Sequence, residues 1–278
     1  MIEPITFDRG PDILDTRDIL TLDGIEKYRK RFTKYSFNGA SIPRVNEILS
    51  QVIGKEYLCL WAARLGEDAY KEEKKLATMT GTFVHEAIEY FLLHHKDKRM
   101  VIYSPKIREL ANNSYNNFKR WYETQCKLGY ILTPIYTEVQ TTNPWFGGTI
   151  DLVLNIKHSL FDTNMNFIID FKTSKSISVD YILQTYAYMW SWNWNKEFID
   201  NSLLSIDGIG IIRIDKYTDK FEDLFITLKN NPQIMKDLNY DLGSMINWYY
   251  SQINANYNLS ISRKISKESN IYGETLIN

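Results

Sequence analysis

The sequence contains only two cysteines, Cys59 and Cys126, among its 278 residues. Two thiols cannot form a disulfide framework or a four-cysteine metal cluster within one chain, and their scarcity is typical of a reducing compartment. No run of about 18 apolar residues is present, so we expect no membrane span. The first 15 residues are acidic and have neither the apolar segment of a signal peptide nor the basic character of a transit peptide, so we expect no targeting signal.

An excess of charge of one sign is also lacking, because 33 Lys and Arg residues offset 34 Asp and Glu residues and leave a net charge of −1. This balance neither favours nor excludes a nucleic-acid partner, and composition alone favours an enzyme that acts on small substrates. Internal repeats and low-complexity linkers are absent from the sequence. A hydrophobic content of 44% and an aromatic content of 14% are sufficient to bury a sizeable core.

Helical and strand-like patterns alternate along the chain in an order that predicts an α/β protein. The first helix is expected to open at Ser41 in a capping position, and a second to begin after Gly81 and Thr82 and to end near residue 94. The remaining predicted elements are a helix at 106–128, strands at 135–141, 146–156 and 167–172, a helix at 179–194, strands at 206–214 and 221–228, and a long helix near 232–254. We expect a hairpin loop over 157–166 and a loosely ordered polar tail from Asn258.

Two aspartates lie inside apolar strands, where a carboxylate has no reason to pack. Asp151 stands in GGTIDLVLNI and Asp170 in NFIIDFKTS. Ionised carboxylates are rarely buried unless they are paired or bound to a metal ion. Neighbouring strands joined by a hairpin can bring the two side by side, and hard oxygen ligands of this kind suit Mg²⁺ or Mn²⁺.

Lys172 lies two residues after Asp170, so strand alternation points both side chains to one face while Phe171 faces the core. An ammonium group beside metal-bound carboxylates can orient or help to deprotonate a water molecule, or stabilise charge on a phosphate. An ordinary ion pair at the end of a strand is the alternative, and Asp-x-Lys alone favours it.

Three further features strengthen the first interpretation. His85 lies on the second helix, and Glu89, four residues later on the same helix face, is a candidate partner or additional ligand. Glu138 precedes Asp151 by one strand and is a candidate ligand through a water molecule, or else a solvated carboxylate. Gln184 and Tyr188 form an i, i+4 pair on the helix after Lys172, although amphipathic packing would also explain them.

Separated segments of the chain resemble the PD-(D/E)XK nuclease superfamily in residue type and order. The matching residues are His85 in GTFVHEAIE, Asp151 in GGTIDLVL, Asp170, Phe171, Lys172 and Thr173 in IIDFKTS, and Gln184 with Tyr188 in QTYAYMW. The chain is most similar to the RecB-type exonuclease branch, and within it to the mitochondrial genome maintenance exonucleases and their phage relatives. Residues 43–49 (PRVNEIL) and 58–62 (LCLWA) extend the likeness, which spans roughly residues 42–215.

The resemblance implies a restriction-endonuclease-like core of helix, three strands, helix and strand, with a mixed central sheet flanked by helices and with added N- and C-terminal helices. It implies that Mg²⁺ or Mn²⁺ binds to His85, Asp151, Asp170 and the main-chain carbonyl of Phe171. Lys172 would be the catalytic lysine, supported by Gln184 and Tyr188. Some relatives pass a strand under a helical arch, a role suited to the helices before His85 and at 106–128.

Two departures from these relatives limit the comparison. Several of them carry a four-cysteine iron–sulfur cluster, which this chain cannot form, so we expect no iron–sulfur cluster. The sequence also lacks the G-x-x-x-x-G-K-[ST] phosphate loop of helicases, so any unwinding is expected to come from a partner such as a helicase or a single-strand-binding protein.

Basic and aromatic residues are interleaved over residues 26–35. The basic ones are Lys27, Arg29, Lys30, Arg31 and Lys34. This segment either binds phosphates and stacks bases or is a solvated basic helix face. Trp145 and Phe146, in the turn that leads to Asp151, are candidate stacking residues or core residues, and Thr173 is a further candidate contact.

Taken together, these features predict a Mg²⁺- or Mn²⁺-dependent DNA exonuclease that prefers single-stranded ends and acts in replication, repair or recombination. We expect an intracellular protein, cytoplasmic if it is prokaryotic or phage-encoded, with a phage or another virus as the expected source. The predicted organisation is an N-terminal arm and helical region over 1–80, a nuclease core over 81–228, and a C-terminal helix and tail over 229–278. The alternatives are a structure- or sequence-specific endonuclease of the same superfamily and a DNA-binding protein without catalysis.

Overall fold

The computed structural model describes residues 35–38, 40–53, 63–98, 102, 104–161 and 164–273, and side chains as far as residue 252. The elements are β1 (Tyr35–Phe37), β2 (Ala40–Ile42), α1 (Val45–Val52), α2 (Glu67–His94), α3 (Pro105–Lys127), β3 (Tyr130–Thr142), β4 (Gly147–His158), β5 (Asn164–Lys172), α4 (Val179–Phe198), β6 (Gly208–Ile214), β7 (Phe221–Thr227) and α5 (Pro232–Gly273). Within these ranges no helix combines the length and apolar character needed to cross a membrane.

A mixed five-stranded sheet in the order β3-β4-β5-β6-β7 forms the centre of this α/β protein. The pairs β3–β4, β4–β5 and β6–β7 are antiparallel, whereas β5 and β6 are parallel and are connected through α4. The predicted order of helix, three strands, helix and strand is confirmed. The carboxyl ends of β5 and β6 therefore lie at the same edge of the sheet.

Apolar side chains cover both faces of the sheet and form two cores. On one face α2 and α3 pack against side chains such as Leu152, Ile169 and Phe171, and we call this the α2/α3 core. On the other face α1, α4 and α5 pack against Ile150 and Ile168, which gives the α1/α4/α5 core. Alternation along β5, and along β4 from Leu152 onwards, divides the apolar residues between the two cores, whereas Ile150 and Leu152 on either side of Asp151 face opposite cores.

Two predicted helix starts are wrong. Ser41 lies in β2, paired with Ser36, and α1 begins only after Arg44. The second helix, α2, begins at Glu67, so Gly81 and Thr82 lie within it. Glycine lowers helix propensity by about 1 kcal/mol, a local effect that tertiary packing overrides here.

Several strand and loop boundaries also differ from the expectation. Strand β3 begins at Tyr130, β4 extends to His158, and β5 begins at Asn164, so both of the latter strands extend into the predicted loop. The helix α5 continues to Gly273, where a loosely ordered tail from Asn258 was expected. The helix at 106–128 is confirmed as α3, whose first turn is capped by Ser104 Oγ and has Pro105 at its first position.

Candidate active site

Strands β4 and β5 separate at Asp151. Lys157 pairs with Asn164 at one end of the ladder, and the last pair is Leu152 with Ile169. Beyond that point the main-chain N–H of Phe171 donates to Asp151 Oδ2 at 2.9 Å, so a side chain takes the place of a main-chain carbonyl. The carboxylate of Asp151 therefore lies in the gap between the two strands.

A local irregularity in β3 brings a second carboxylate to this gap. The pairs of Thr137 with Leu152 and of Val139 with Ile150 flank Glu138, whose φ of 47° is in the left-handed region. Residues other than glycine rarely adopt this backbone conformation, and backbone strain of this kind is concentrated at functional sites. The Glu138 carboxylate faces Asp151 and His85, and one ligand atom from each of the three residues lies within 4.8 Å of the others.

His85 approaches the gap from α2 and contacts two oxygen acceptors. Its Nε2 lies 3.0 Å from the Phe171 carbonyl oxygen, and its Nδ1 lies 3.5 Å from Asp151 Oδ2. Burial lowers the pKa of the imidazole, but the charge and hydrogen bond of Asp151 outweigh it and raise the pKa to about 9. The imidazole is therefore protonated at neutral pH, with Nε2 donating to the Phe171 carbonyl oxygen and Nδ1 next to the Asp151 carboxylate.

The three acids of the site have different electrostatic environments. Burial would raise the pKa of Asp151, but His85, Lys172 and the Phe171 N–H together lower it. Burial raises the pKa of Asp170 more than Lys172 lowers it. Removal from water and the charge of Asp151 raise the pKa of Glu138. The three carboxyl groups therefore lie beside the cations His85 and Lys172, and each affects the ionisation of the others.

Lys172 and Asp170 form the second half of the site. Lys172 Nζ lies 2.6 Å from Asp170 Oδ2 and donates to Gln184 Oε1 at 3.2 Å. The amide of Gln184 donates to Tyr188 OH at 2.8 Å and lies 3.5 Å from Asp170 Oδ1. Burial lowers the pKa of Lys172, but the charges of Asp170 and Asp151 raise it by more. The net pKa lies above the ordinary value for lysine, so the ammonium stays protonated.

The glycine pair before Asp151 lets aromatic rings approach β4 closely. A Cβ on Gly147 would lie 2.4 Å from the Tyr35 ring, and one on Gly148 would lie 2.2 Å from the Tyr188 ring. Both contacts are far shorter than any real Cβ contact. The two glycines therefore permit Tyr188, and through it Gln184, to lie against the strand that carries Asp151.

Other predicted site residues lie elsewhere or outside the description. Glu89 accepts a hydrogen bond from Thr137 Oγ1 at 3.0 Å and is not among the three clustered ligand residues. Phe146 is fully buried in the α1/α4/α5 core, so its prediction as a stacking residue is wrong, whereas Trp145 is 37% exposed. Thr173 follows β5 beside Gly81 of α2. The predicted nucleic-acid contacts of segment 26–35 lie outside the described residues; they are Lys27, Arg29, Lys30, Arg31 and Lys34.

Two residues near the lysine were missed at the sequence level. The ring of Tyr181 lies 4.8 Å from Lys172 Nζ in a cation–π contact. Arg213, paired in register with Lys172 on β6, is buried and donates to Ser174 O and to two acids. The position of Tyr181 three residues before Gln184 is a signal that helical spacing could have revealed. The register of Arg213 depends on the parallel pairing and could not be read from the sequence.

The donor set at the gap fits a divalent cation. It combines carboxylate oxygens of Asp151 and Glu138, a main-chain carbonyl of Phe171 and an imidazole nitrogen of His85. The imidazolium already lies as a cation between Asp151 and Phe171 O. Oxygen-rich sets with one imidazole suit Mg²⁺ and Mn²⁺.

No family model and no curated protein sequence matches this chain. The fold and the site define an α/β protein with a candidate metal centre between diverging strands and a half-buried lysine beside it.

Proposed function

We propose that this chain is a nuclease of the PD-(D/E)XK type, which hydrolyses DNA phosphodiester bonds with Mg²⁺ or Mn²⁺ and acts as an exonuclease on single-stranded ends. The observation that carries the proposal is the convergence of a candidate metal centre with a protonated lysine at one gap in the sheet. Asp151 is one of the three clustered ligand residues, and its charge also raises the pKa of Lys172. The metal centre and the lysine therefore form one site.

The residues that would hold the cation are His85, Glu138, Asp151 and the carbonyl of Phe171, with Asp170 next to them. A bound divalent ion polarises a phosphoryl oxygen and lowers the pKa of a coordinated water molecule. Binding requires His85 to release its proton, because the protonated imidazole has no lone pair to donate.

The environment of Lys172 supports an electrostatic role for this residue. A general base must be unprotonated, whereas the carboxylates of Asp170 and Asp151 keep the ammonium charged. A fixed cation is suited to hold the attacking water or to stabilise the charge that develops on the phosphate. Asp170 and Gln184 restrict its position and so orient the charge before a substrate arrives.

The proposal is tested with linear single-stranded DNA labelled at either end, incubated with Mg²⁺, with Mn²⁺ or with EDTA. We expect cleavage with either metal and none with EDTA. Lys172→Met should lower the rate by a factor on the order of 100–1000, the usual effect of removing one group that stabilises transition-state charge. Lys157→Met, an exposed substitution on β4, serves as the control and should cleave like the wild type.

Equal cleavage by Lys172→Met, or cleavage that persists in EDTA, would disprove the proposal. A circular single-stranded substrate separates the two modes of attack, because an exonuclease leaves it intact and an endonuclease opens it. Blocking the 5′ or the 3′ end then gives the polarity.

A further inference from the structure

The turn between β6 and β7 presents a buried lysine and an exposed tyrosine at the edge of the sheet that carries Lys172. We propose that Lys216 and Tyr217 bind the nucleic-acid strand next to the active site, Lys216 through a backbone phosphate and Tyr217 by stacking on a base. This inference rests on the proposed function and names a substrate-binding site for it.

Lys216 is a largely buried lysine whose ammonium group makes no direct ion pair with a described residue. The residue is only 8% exposed, and its Nζ forms no hydrogen bond or ion pair with any residue that the structure describes. Burial lowers the pKa of Lys216, the nearby carboxylates of Glu73 and Asp215 raise it, and the ammonium of Lys175 lowers it. A buried charge costs free energy unless it is paired, so a lysine in this state is suited to an anionic ligand.

Tyr217 adds the second element of a strand-binding site. Its side chain is 48% exposed, and Lys216 Nζ lies 5.5 Å from its ring. Proteins that bind single strands combine positive charge along the backbone with aromatic rings on which bases stack. The combination favours a nucleic acid over an acidic peptide, which would not need an exposed ring beside the cation.

The turn itself is rigidly held by α3. Asn117 Nδ2 donates to the carbonyl oxygens of Asp215 and Thr218 at 2.8 and 2.7 Å, and Asn113 Nδ2 donates to that of Lys216 at 3.3 Å. The Asp215 carboxylate accepts from the N–H groups of Tyr217 and Thr218. A surface turn fixed in this way loses little conformational freedom when it binds a ligand.

The position of the turn suits a strand that crosses the active site. Lys172 is paired in register with Arg213, and Lys216 follows three residues later at the same edge of the sheet. Because β5 and β6 are parallel neighbours, the turn that carries Lys216 lies next to the end of β5 at Lys172. Arg213 also donates to Ser174 O and thus connects this turn to the loop that carries Lys175.

The test measures binding of a labelled oligodeoxythymidylate to the full chain in EDTA, where no cleavage is expected, over a range of salt concentrations. Lys216→Met should weaken binding about fivefold at 0.1 M salt and lower the slope of log K against log salt by about 0.7, the value for one phosphate contact on a single strand. Lys216→Arg should keep the wild-type slope. Lys229→Met, an exposed lysine at the opposite end of β7, should leave both values unchanged.

Tyr217→Ala should weaken binding about 5- to 100-fold with an unchanged salt slope, because stacking involves no ion release. Tyr240→Ala, which removes a 75% exposed ring on α5, is its control. Lys216→Met should melt at or above the wild-type temperature, because it removes a buried charge without an ion-pair partner. A large loss of stability would assign a structural role to Lys216 and overturn the inference.

The two proposals fail in different ways. If the wild type cleaves DNA but Lys216→Met binds it as tightly and with the same slope, only the strand-binding site is disproved. If the wild type neither binds nor cleaves single-stranded DNA, the proposed function is disproved and this site with it.

Discussion

Gln184 connects the residues that would act on the phosphate. Its carbonyl oxygen accepts from Lys172, and its amide nitrogen donates to Tyr188 and approaches Asp170. Burial and the charge of Asp170 raise the pKa of Tyr188, so its hydroxyl stays protonated. A neutral amide can serve a cation and an anion at once because it offers an acceptor and a donor.

We therefore predict that Gln184→Leu lowers kcat about 10- to 100-fold with little change in KM, because the side chain positions Lys172. Tyr188→Phe removes one hydrogen bond, worth about 1 kcal/mol, and should lower kcat about fivefold or less. Steady-state kinetics on labelled single-stranded DNA measures both. Gln233→Leu on exposed α5 is the control, and a rise in KM at unchanged kcat would contradict the positioning role.

Glu138 provides a pH-dependent prediction for the metal-free protein. Its pKa in the folded state is raised above the ordinary value of 4.5, so ionisation of this carboxyl opposes folding. Below pH 4.5 the carboxyl is protonated in both the folded and the unfolded state, and Glu138→Gln should match the wild type. As pH rises above 4.5, the variant should become progressively more stable than the wild type.

Urea unfolding in EDTA at several pH values measures this difference. Glu222→Gln, which removes a carboxylate ion-paired with Arg213, is the contrasting control and should not gain stability with pH. If the free energies of unfolding of Glu138→Gln and the wild type differ by the same amount at every pH, repulsion from Asp151 does not act on Glu138.

The sequence predicts the residues of the site better than their arrangement. Asp170 and Lys172 were recognisable because a short apolar strand contains them, and burial of an acid demands a partner. The left-handed conformation of Glu138 and the separation of β4 from β5 at Asp151 were not predictable, because they depend on how β4 pairs with its two neighbouring strands. Phe146 was misread because an aromatic residue in a turn has no periodic pattern that distinguishes core from surface.

At the level of elements, helix α3 supports the hairpin of β6 and β7. Its apolar side faces the α2/α3 core, and three polar side chains, Asn113, Ser114 and Asn117, donate to main-chain carbonyls of residues 214–218. The amphipathic pattern predicted this helix with its bounds almost correct. The polar contacts could not be predicted, because they join residues about 100 positions apart.

We predict that Asn117→Ala destabilises the protein by about 2–3 kcal/mol, because one buried and one partly buried hydrogen bond are lost and two carbonyl groups lose their donor. Asn116→Ala is the matched control, since Asn116 Oδ1 is buried and accepts no hydrogen bond from any described residue, and its removal should cost little or nothing. Urea unfolding compares the two. An equal loss of stability in both variants would contradict the support of the turn by Asn117.

For the molecule as a whole, the site lies where the two cores meet. His85 comes from α2 on one face of the sheet, whereas Gln184 and Tyr188 come from α4 on the other. Asp151 and Lys172 lie on the strands between these helices. A ligand that joins these parts therefore binds only to the folded chain, and its binding free energy adds to the free energy of unfolding.

Mn²⁺ should accordingly raise the melting temperature of the wild type. At a concentration about 100 times Kd, binding to the folded state alone contributes about 2.7 kcal/mol, which corresponds to a shift of about 5–10 °C in a chain of this size. Asp151→Asn removes a central carboxylate and should abolish the shift, whereas Asp241→Asn, on the exposed side of α5, should retain it. Differential scanning calorimetry with Mn²⁺ and with EDTA measures both. A shift of equal size in Asp151→Asn would place the metal elsewhere and remove the central element of the proposed site, whatever the activity of the wild type.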